Sequence, residues 1–501
     1  MAEATSQKMT GLIATLGNER TVRVVGYAAF VAMALFMVLR VGIMPAASAG
    51  DDLWYDESGY WLLNAGHLAR AIHDNAAGDG LRDFLPPMTG TFTAASFALF
   101  GYSQFAVGIV PTASCALGGL LCALALRRRF DTSVGAALAL TLVPFFTPFL
   151  LKIVGHNRFE AQVYLFFCAA MLAGAVPSGE PLSRWRALFA GVFTGLATIA
   201  YYPTGPLVVL ALFAWTIVDA RAWNRLAWFV GGGALVLAGF LAWIGTDFGL
   251  FLAQMQASSS RYVQSTPLFA RETIAFFVPS LAGAAVLAAS PSTRFYGLLT
   301  VAGILLRIAS LGFAIAAVLP MMLGLATLVL QPQARARWSE AVSLAGRWLV
   351  IGLSAMVIAV TASGLAVSWS ERADRNYAAF ARNLRSVMPA NRGGFVLFDR
   401  PAHLALRPLY GRPQLHHLVS ADAQTAPSLV LDDPSQATRV EAVVYWPAGH
   451  ASLTEIASTT PLLAAFLRRP YHAIWVSPRG VGQRYIRGGG PYEVMVLIPG
   501  S

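Results

Sequence analysis

The chain has 501 residues, of which 56% are hydrophobic and only 12% charged, and its formal net charge is +11. With a mean hydropathy of +0.58, this composition excludes an ordinary soluble protein and points to a polytopic membrane protein. The basic excess is no nucleic-acid signature, because the arginines fall in short loops between apolar segments, as the positive-inside rule expects. Lysine occurs at Lys8 and Lys152 alone. Cys115, Cys122 and Cys168 all lie in apolar segments, with neither a disulfide framework nor a metal-ligand spacing.

Residues 1–23 read as a polar lead carrying Lys8, Arg20 and Arg23, which places the N-terminus in the cytoplasm. The apolar run from about Tyr27 to Met44 is predicted as the first transmembrane helix. Pro45 to Gly50 resembles a signal-peptidase site, but the preceding run exceeds a signal h-region, so the span is read as uncleaved. Then come Asp51, Asp52, Asp56 and Glu57, four carboxylates within seven residues of a chain that otherwise avoids charge. They fall in the loop 47–87, which the first span delivers to the extracytoplasmic boundary. Trp61, Ala65, Leu68 and Ile72 share one helical face and predict an amphipathic surface helix. Two readings of the Asp56-Glu57 pair are open here: a catalytic base beside the bilayer, or a helix cap in which Asp56 favours the helix start.

Residues 88–100 are too short to span at ~1.5 Å per residue and read as a second surface helix. Spans are predicted at 104–126, 133–151 and 161–176, then two shorter helices at 187–200 and 206–220, then spans at 227–246, 273–290, 295–309, 311–330 and 348–368. With arginine in every cytoplasmic loop, this makes about eleven transmembrane helices, N-terminus in and C-terminus out. From about Ser370 the composition becomes that of a soluble domain. Helices are predicted at 373–387 and 453–468, and strands at 394–399, 442–446 and 492–497. The predicted organisation is a transmembrane domain, 1–369, and a small extracytoplasmic α/β domain, 370–501.

The ionisable residues that topology leaves unexplained gather in the outer loops. The first loop supplies the acids, the second supplies Lys152, His156, Arg158 and Glu160, and a later one supplies Arg261, Tyr262, Arg271 and Glu272. Arg307 lies near the outer end of its span. Acids facing cations at a membrane surface suit group transfer from a lipid phosphate, in which the cations hold the phosphate while a carboxylate deprotonates an acceptor. For any single arginine, the competing account is a solvated or headgroup-contacting loop charge.

The order of features resembles a known family. A helix, an outer loop with Asp56-Glu57, Leu85-Pro86-Pro87, and a surface helix ending Leu99-Phe100-Gly101-Tyr102-Ser103 look like the GT-C membrane glycosyltransferases. The likeness is to the bacterial lipid A aminoarabinose transferases and the protein O-mannosyltransferases. It continues through Arg127-Arg128-Arg129-Phe130, Asn157-Arg158-Phe159-Glu160 and Tyr202-Pro203-Thr204-Gly205-Pro206, and covers roughly the first 220 residues in order. The resemblance implies a GT-C-like α-helical polytopic fold and an inverting transfer of one sugar from a polyprenyl-phosphate donor. The acceptor would be a glycolipid, polysaccharide or protein at the outer face of the bacterial inner membrane. It also implies that Asp56, with Glu57 beside it, is the catalytic base, while the outer-loop cluster read above makes Lys152, His156, Arg158, Glu160, Tyr202, Arg261, Tyr262 and Arg307 the candidate donor-site residues. No cofactor is implied and no metal ligand is assigned, although a divalent metal stays open. Two departures stand out. Relatives carry a lysine where this chain has Leu85, and many have Thr-Lys-Gly-Pro at the Tyr202–Pro206 turn, so Lys152, Arg158 or Arg261 would substitute as phosphate ligands. The rival class is a transporter or flippase of lipid-linked saccharides, which calls for mid-bilayer charge and repeat symmetry.

Overall fold

The computed structural model describes residues 18–39, 87–155, 160–177, 179–245, 248–249, 251–252, 271–308, 314–331, 340–370, 376–411, 414–418, 431, 433–447, 452–477 and 493–500. The acidic loop with its predicted surface helix therefore lies outside the described residues.

The first helix, α1 (Glu19–Val38), begins inside the stretch read as a polar lead. Asn18 caps it, its side chain accepting from the Thr21 backbone N–H at 2.9 Å, and this local bond sets the start ahead of the apolar run. Then come α2 (Pro87–Phe100) and α3 (Gln104–Phe130), separated by a turn at Gly101. Helix α3 runs on through Arg127-Arg128-Arg129 and stops at Asp131, whose φ of 48° is left-handed. Where one span was expected over 133–151, the chain forms α4 (Val134–Thr141), a 3-10 turn (Val143–Phe145) and α5 (Pro148–Gly155). Pro144 and Pro148 cause the break, since each lacks the N–H that would continue the ladder.

Helix α6 (Glu160–Gly174) is followed by α7 (Arg184–Ala200), which Ser183 caps. After the 3-10 turn Tyr202–Thr204, α8 (Gly205–Phe213) passes into a π turn at Ala214–Val218. Next is α9 (Leu226–Ile244), packed so closely on α7 that backbone meets backbone. A Cβ on Gly191 would fall on the Phe229 carbonyl oxygen, and one on Gly232 on that of Leu188. Small residues let apolar helices approach where hydrophobic drive between them is weak. Then follow α10 (Arg271–Ala288), α11 (Arg294–Ile308), α12 (Ile315–Leu330) and α13 (Glu340–Ser370). Every residue of α12 is buried, which makes it the central rod of this part of the bundle.

Among the described residues, four helices are long and apolar enough to cross a membrane: Glu19–Val38, Gln104–Phe130, Trp223–Ile244 and Glu340–Val367. Shorter apolar helices, among them Glu160–Gly174 and Ile315–Leu330, accompany them.

Beyond α13 lie α14 (Tyr377–Val387), β1 (Phe395–Phe398), a 3-10 turn (Arg400–Ala402) with the short α15 (His403–Leu406), and β2 (Leu415–His417). They are followed by a 3-10 segment (Pro434–Arg439), β3 (Val440–Tyr445), α16 (Leu453–Thr459), α17 (Pro461–Leu467), β4 (Tyr471–Val476) and β5 (Val494–Pro499). The sheet order is β2-β1-β3-β5-β4, with β1 parallel to β2 and β3, and β5 antiparallel to β3 and β4. Pro461 splits the single helix expected over 453–468. One face of the sheet shares a core with α14, α15 and three residues of the bundle, Phe97, Ala106 and Val107. Arg407 clamps that junction: its guanidinium lies 4.8 Å from the Tyr102 ring centroid and donates to the Tyr102 hydroxyl at 3.1 Å. The sheet therefore rests on the α2–α3 turn.

Candidate functional site

The first turn of α2 organises the end of the bundle to which the acidic loop returns. Its Thr89 is fully buried and donates from Oγ1 to Gln162 Oε1 at 2.8 Å. Thr93 donates to the Thr89 carbonyl at 2.7 Å, and Gln162 Nε2 reaches Ser114 Oγ at 3.5 Å. Such a network inside an apolar bundle fixes register, because each broken partner would strand a buried polar group. Next to it, Glu160 opens α6 with 1% of its surface exposed. A carboxylate at a helix N-terminus is favoured by the helix dipole, which offsets part of its burial.

On the other flank of the same turn, Met88 packs into an aromatic cluster with Tyr202, Phe240, Trp243 and Phe251. The Tyr202 ring lies 5.6 Å from Phe240 and 5.7 Å from Phe251, centroid to centroid. Its hydroxyl is buried with no hydrogen-bond partner among the described residues. Thus Gln162, two residues beyond Glu160 on α6, and Tyr202, through Met88, both meet the first turn of α2. Arg307 is half-buried on the last turn of α11, which packs against α10 and α12. Of the other predicted site residues, Asp56, Glu57, His156, Arg158, Arg261 and Tyr262 lie outside the described residues. Lys152 is described by its backbone in α5.

The sheet offers a second polar edge, at the carboxyl ends of its parallel strands. Asp399 follows β1, fully buried, and its carboxylate accepts from the Trp446 backbone N–H at 2.8 Å. Burial first, then the Asp399 and Glu455 carboxylates, push the nearby Tyr445 phenol up. His403 and His417 both pack on the Phe398 ring. Among the described residues, no group of three or more His, Cys, Asp or Glu is placed to hold a metal ion.

Sequence reasoning missed the Thr89–Gln162 pair and a buried network at the opposite, arginine-bearing end. There Arg129 Nη1 donates to the Trp215 carbonyl at 2.6 Å, and Nη2 stands 3.8 Å from Asp219 Oδ2, which also accepts from the Tyr296 hydroxyl at 2.7 Å. The available signal was an amide and an acid in or beside otherwise apolar segments, Gln162 and Asp219.

Comparison with known proteins agrees with this architecture. Residues 85–245 match the family profile described as dolichyl-phosphate-mannose-protein mannosyltransferase. No curated protein sequence matches the chain at a significant level. Among solved structures, the fold is similar to that of ArnT from Cupriavidus metallidurans bound to undecaprenyl phosphate, with a TM-score of 0.52 and 14% identity over 94% of this chain and 97% of that one. Weaker likenesses are to the Archaeoglobus fulgidus oligosaccharyltransferase in complex with Zn and sulfate (TM-score 0.41, 14% identity, 91% and 72% covered) and to the mycobacterial arabinofuranosyltransferase AftD (TM-score 0.49, 14% identity, 96% and 40% covered). The resemblance to the GT-C membrane glycosyltransferases therefore holds in sequence profile and in fold.

Proposed function

We propose that the chain transfers a single sugar, with inversion, from a polyprenyl-phosphate donor to a glycolipid, polysaccharide or protein acceptor. The reaction takes place on the outer face of a bacterial inner membrane. Asp56 takes the proton of the acceptor hydroxyl or amine as that atom attacks the anomeric carbon. The carbon–oxygen bond to phosphate breaks, and its electron pair leaves on the polyprenyl phosphate. Glu57 adjoins the base. Lys152, Arg158 and Arg261, with His156, Tyr262 and Arg307, meet the charge that grows on the departing phosphate. Preorganised cations of this kind act where charge develops and need no reorganisation during the reaction. The protein's own side chains do this, and no cofactor is assigned.

The observation that carries the proposal is the family match over residues 85–245, the segment holding the α2 turn, Glu160 and Tyr202. Its geometry supports a site at this end of the bundle. The acidic loop rejoins the chain at α2, whose first turn touches the surroundings of both Glu160 and Tyr202. The change from apolar helices to a mixed sheet after Ser370 supports a division into a membrane domain, 1–369, and an extracytoplasmic domain, 370–501, and contact between the sheet and the α2–α3 turn supports the second standing over that end. About eleven spans remain the proposed topology, with short or broken helices completing the four long ones. The test is to remove the protein from its cell and profile lipid-linked sugars. One polyprenyl-phosphate sugar should accumulate while its glycan product disappears. An unchanged donor pool would contradict the reading, and donor trapped in the cytoplasmic leaflet would mark a flippase instead.

A further inference from the structure

Most of the α6 surface is buried, but Leu165, Phe166, Ala169, Leu172 and Ala173 stay partly exposed. Their spacing puts them on one helical face. That face floors a groove of about 600 Å³, walled by Leu117 and Leu121 of α3 on one side and by Phe189 and Phe193 of α7 on the other. Two alanines in the floor give it depth. Leu117 and Phe189 are among the exposed large apolar side chains, so the groove opens on the surface that faces lipid.

The groove is apolar along its length and cationic at one end. Arg128 and Arg186 stand there, near enough to repel one another. Arg186 donates to the carbonyls of Leu172 at 2.9 Å, Ala173 at 3.0 Å and Ala175, which holds the end of α6, and its Nη1 makes no hydrogen bond among the described residues. Glu180 is the carboxylate that attracts it through space. Arg128 is exposed, with no hydrogen bond or ion pair among the described residues. From Leu117 to Arg128 the α3 helix rises ~16 Å at ~1.5 Å per residue. One leaflet of a ~30 Å hydrocarbon core is ~15 Å deep. The groove thus matches a single leaflet, with its two cations at headgroup level.

We infer that the α3–α6–α7 groove is a binding site for an anionic glycerophospholipid of the leaflet on the arginine-bearing side, its acyl chain along α6 and its phosphate between Arg128 and Arg186. This site lies at the opposite end of α3 and α6 from the proposed donor site, and its lipid is not a substrate. Phosphate suits the position because guanidinium groups bind it with charge-assisted hydrogen bonds, and a low-dielectric groove strengthens them.

The full chain, purified in detergent and incubated with phosphatidylglycerol or phosphatidylcholine of the same acyl composition, tests this by native mass spectrometry. Phosphatidylglycerol should be retained about tenfold more strongly, because phosphatidylcholine brings the same phosphate together with a choline cation that Arg128 and Arg186 repel. Arg128→Gln should erase that preference without unfolding the chain, since Arg128 is exposed. Ala169→Phe, which fills the floor, should remove both lipids. Equal retention of the two lipids, or undiminished phosphatidylglycerol in both variants, would overturn the inference. Displacement of phosphatidylglycerol by equimolar polyprenyl phosphate, lost in the same variants, would also overturn it and assign the groove to the carrier lipid.

Discussion

Replacing Asp219 with alanine would remove the one carboxylate that faces Arg129 at the arginine-bearing end of the bundle among the described residues. The two side chains are 10% and 19% exposed, and their closest N–O separation is 3.8 Å. At that separation, an effective dielectric of about 20 gives an attraction of ~4 kcal/mol. Removing one member of a buried pair costs ~3–5 kcal/mol, because the other is left uncompensated. Arg129 keeps its bond to the Trp215 carbonyl and its place 3.9 Å from the Trp215 ring centroid, so the lower end, about 3 kcal/mol, is expected. Tyr296→Phe removes only the hydroxyl bond to Asp219 and should cost ~1 kcal/mol. The double variant Arg129→Met with Asp219→Leu should recover most of the loss, since no charge remains to be orphaned. Unfolding of the purified chain by SDS in mixed micelles would measure all four proteins. An Asp219→Ala protein as resistant as the parent, or a double variant as weak as the single, would refute the reasoning.

Other consequences can be checked beside it. Gly191→Leu should prevent the α7–α9 contact, because even its Cβ falls on the Phe229 carbonyl, and the protein should fail to accumulate in membranes. Normal accumulation would show that the two helices can separate without cost. Thr89→Val strands the Gln162 amide and should lower stability by ~1–3 kcal/mol in the same SDS titration, whereas a neutral result would mean that Gln162 finds another partner. Ser58→Cys and Ser428→Cys should both react with an impermeant maleimide in intact cells, against a silent background, since Cys115, Cys122 and Cys168 are buried. Labelling of one position alone would break the proposed topology.

Much of the bundle was legible because apolar runs and their punctuation carry the information locally. The helices α2, α9 and α11 fall within a residue or two of their expected bounds, marked by Gly101, the Trp223–Arg225 turn and Arg294. Hydropathy alone failed where single residues overrode it. Pro144 and Pro148 broke the expected 133–151 span, and Asn18 started α1 early. In the C-terminal part, β1, β3 and β5 stood out as apolar runs. By contrast, β2 is three residues long and histidine-rich, and β4 is an edge strand whose exposed face leaves no clean alternation. Pairings such as Thr89–Gln162, 73 positions apart, and Asp219–Tyr296, 77 apart, depend on packing that no local window records. Of the candidate site, Glu160 and Tyr202 were legible as loop residues, but the turn at Met88-Thr89 that Gln162 and Tyr202 share was not.

The central claim is that Asp56 is the base. Asp56→Asn keeps the size of the side chain and its ability to cap a helix, so folding and membrane insertion should survive. It removes the proton acceptor, and loss of a general base costs ~10²–10⁴-fold in rate. Sugar transfer per folded protein, measured in membranes for Asp56→Asn beside Glu57→Gln, should fall by that factor in the first variant and far less in the second. Full transfer by Asp56→Asn would contradict the account and leave the acidic loop a structural cap.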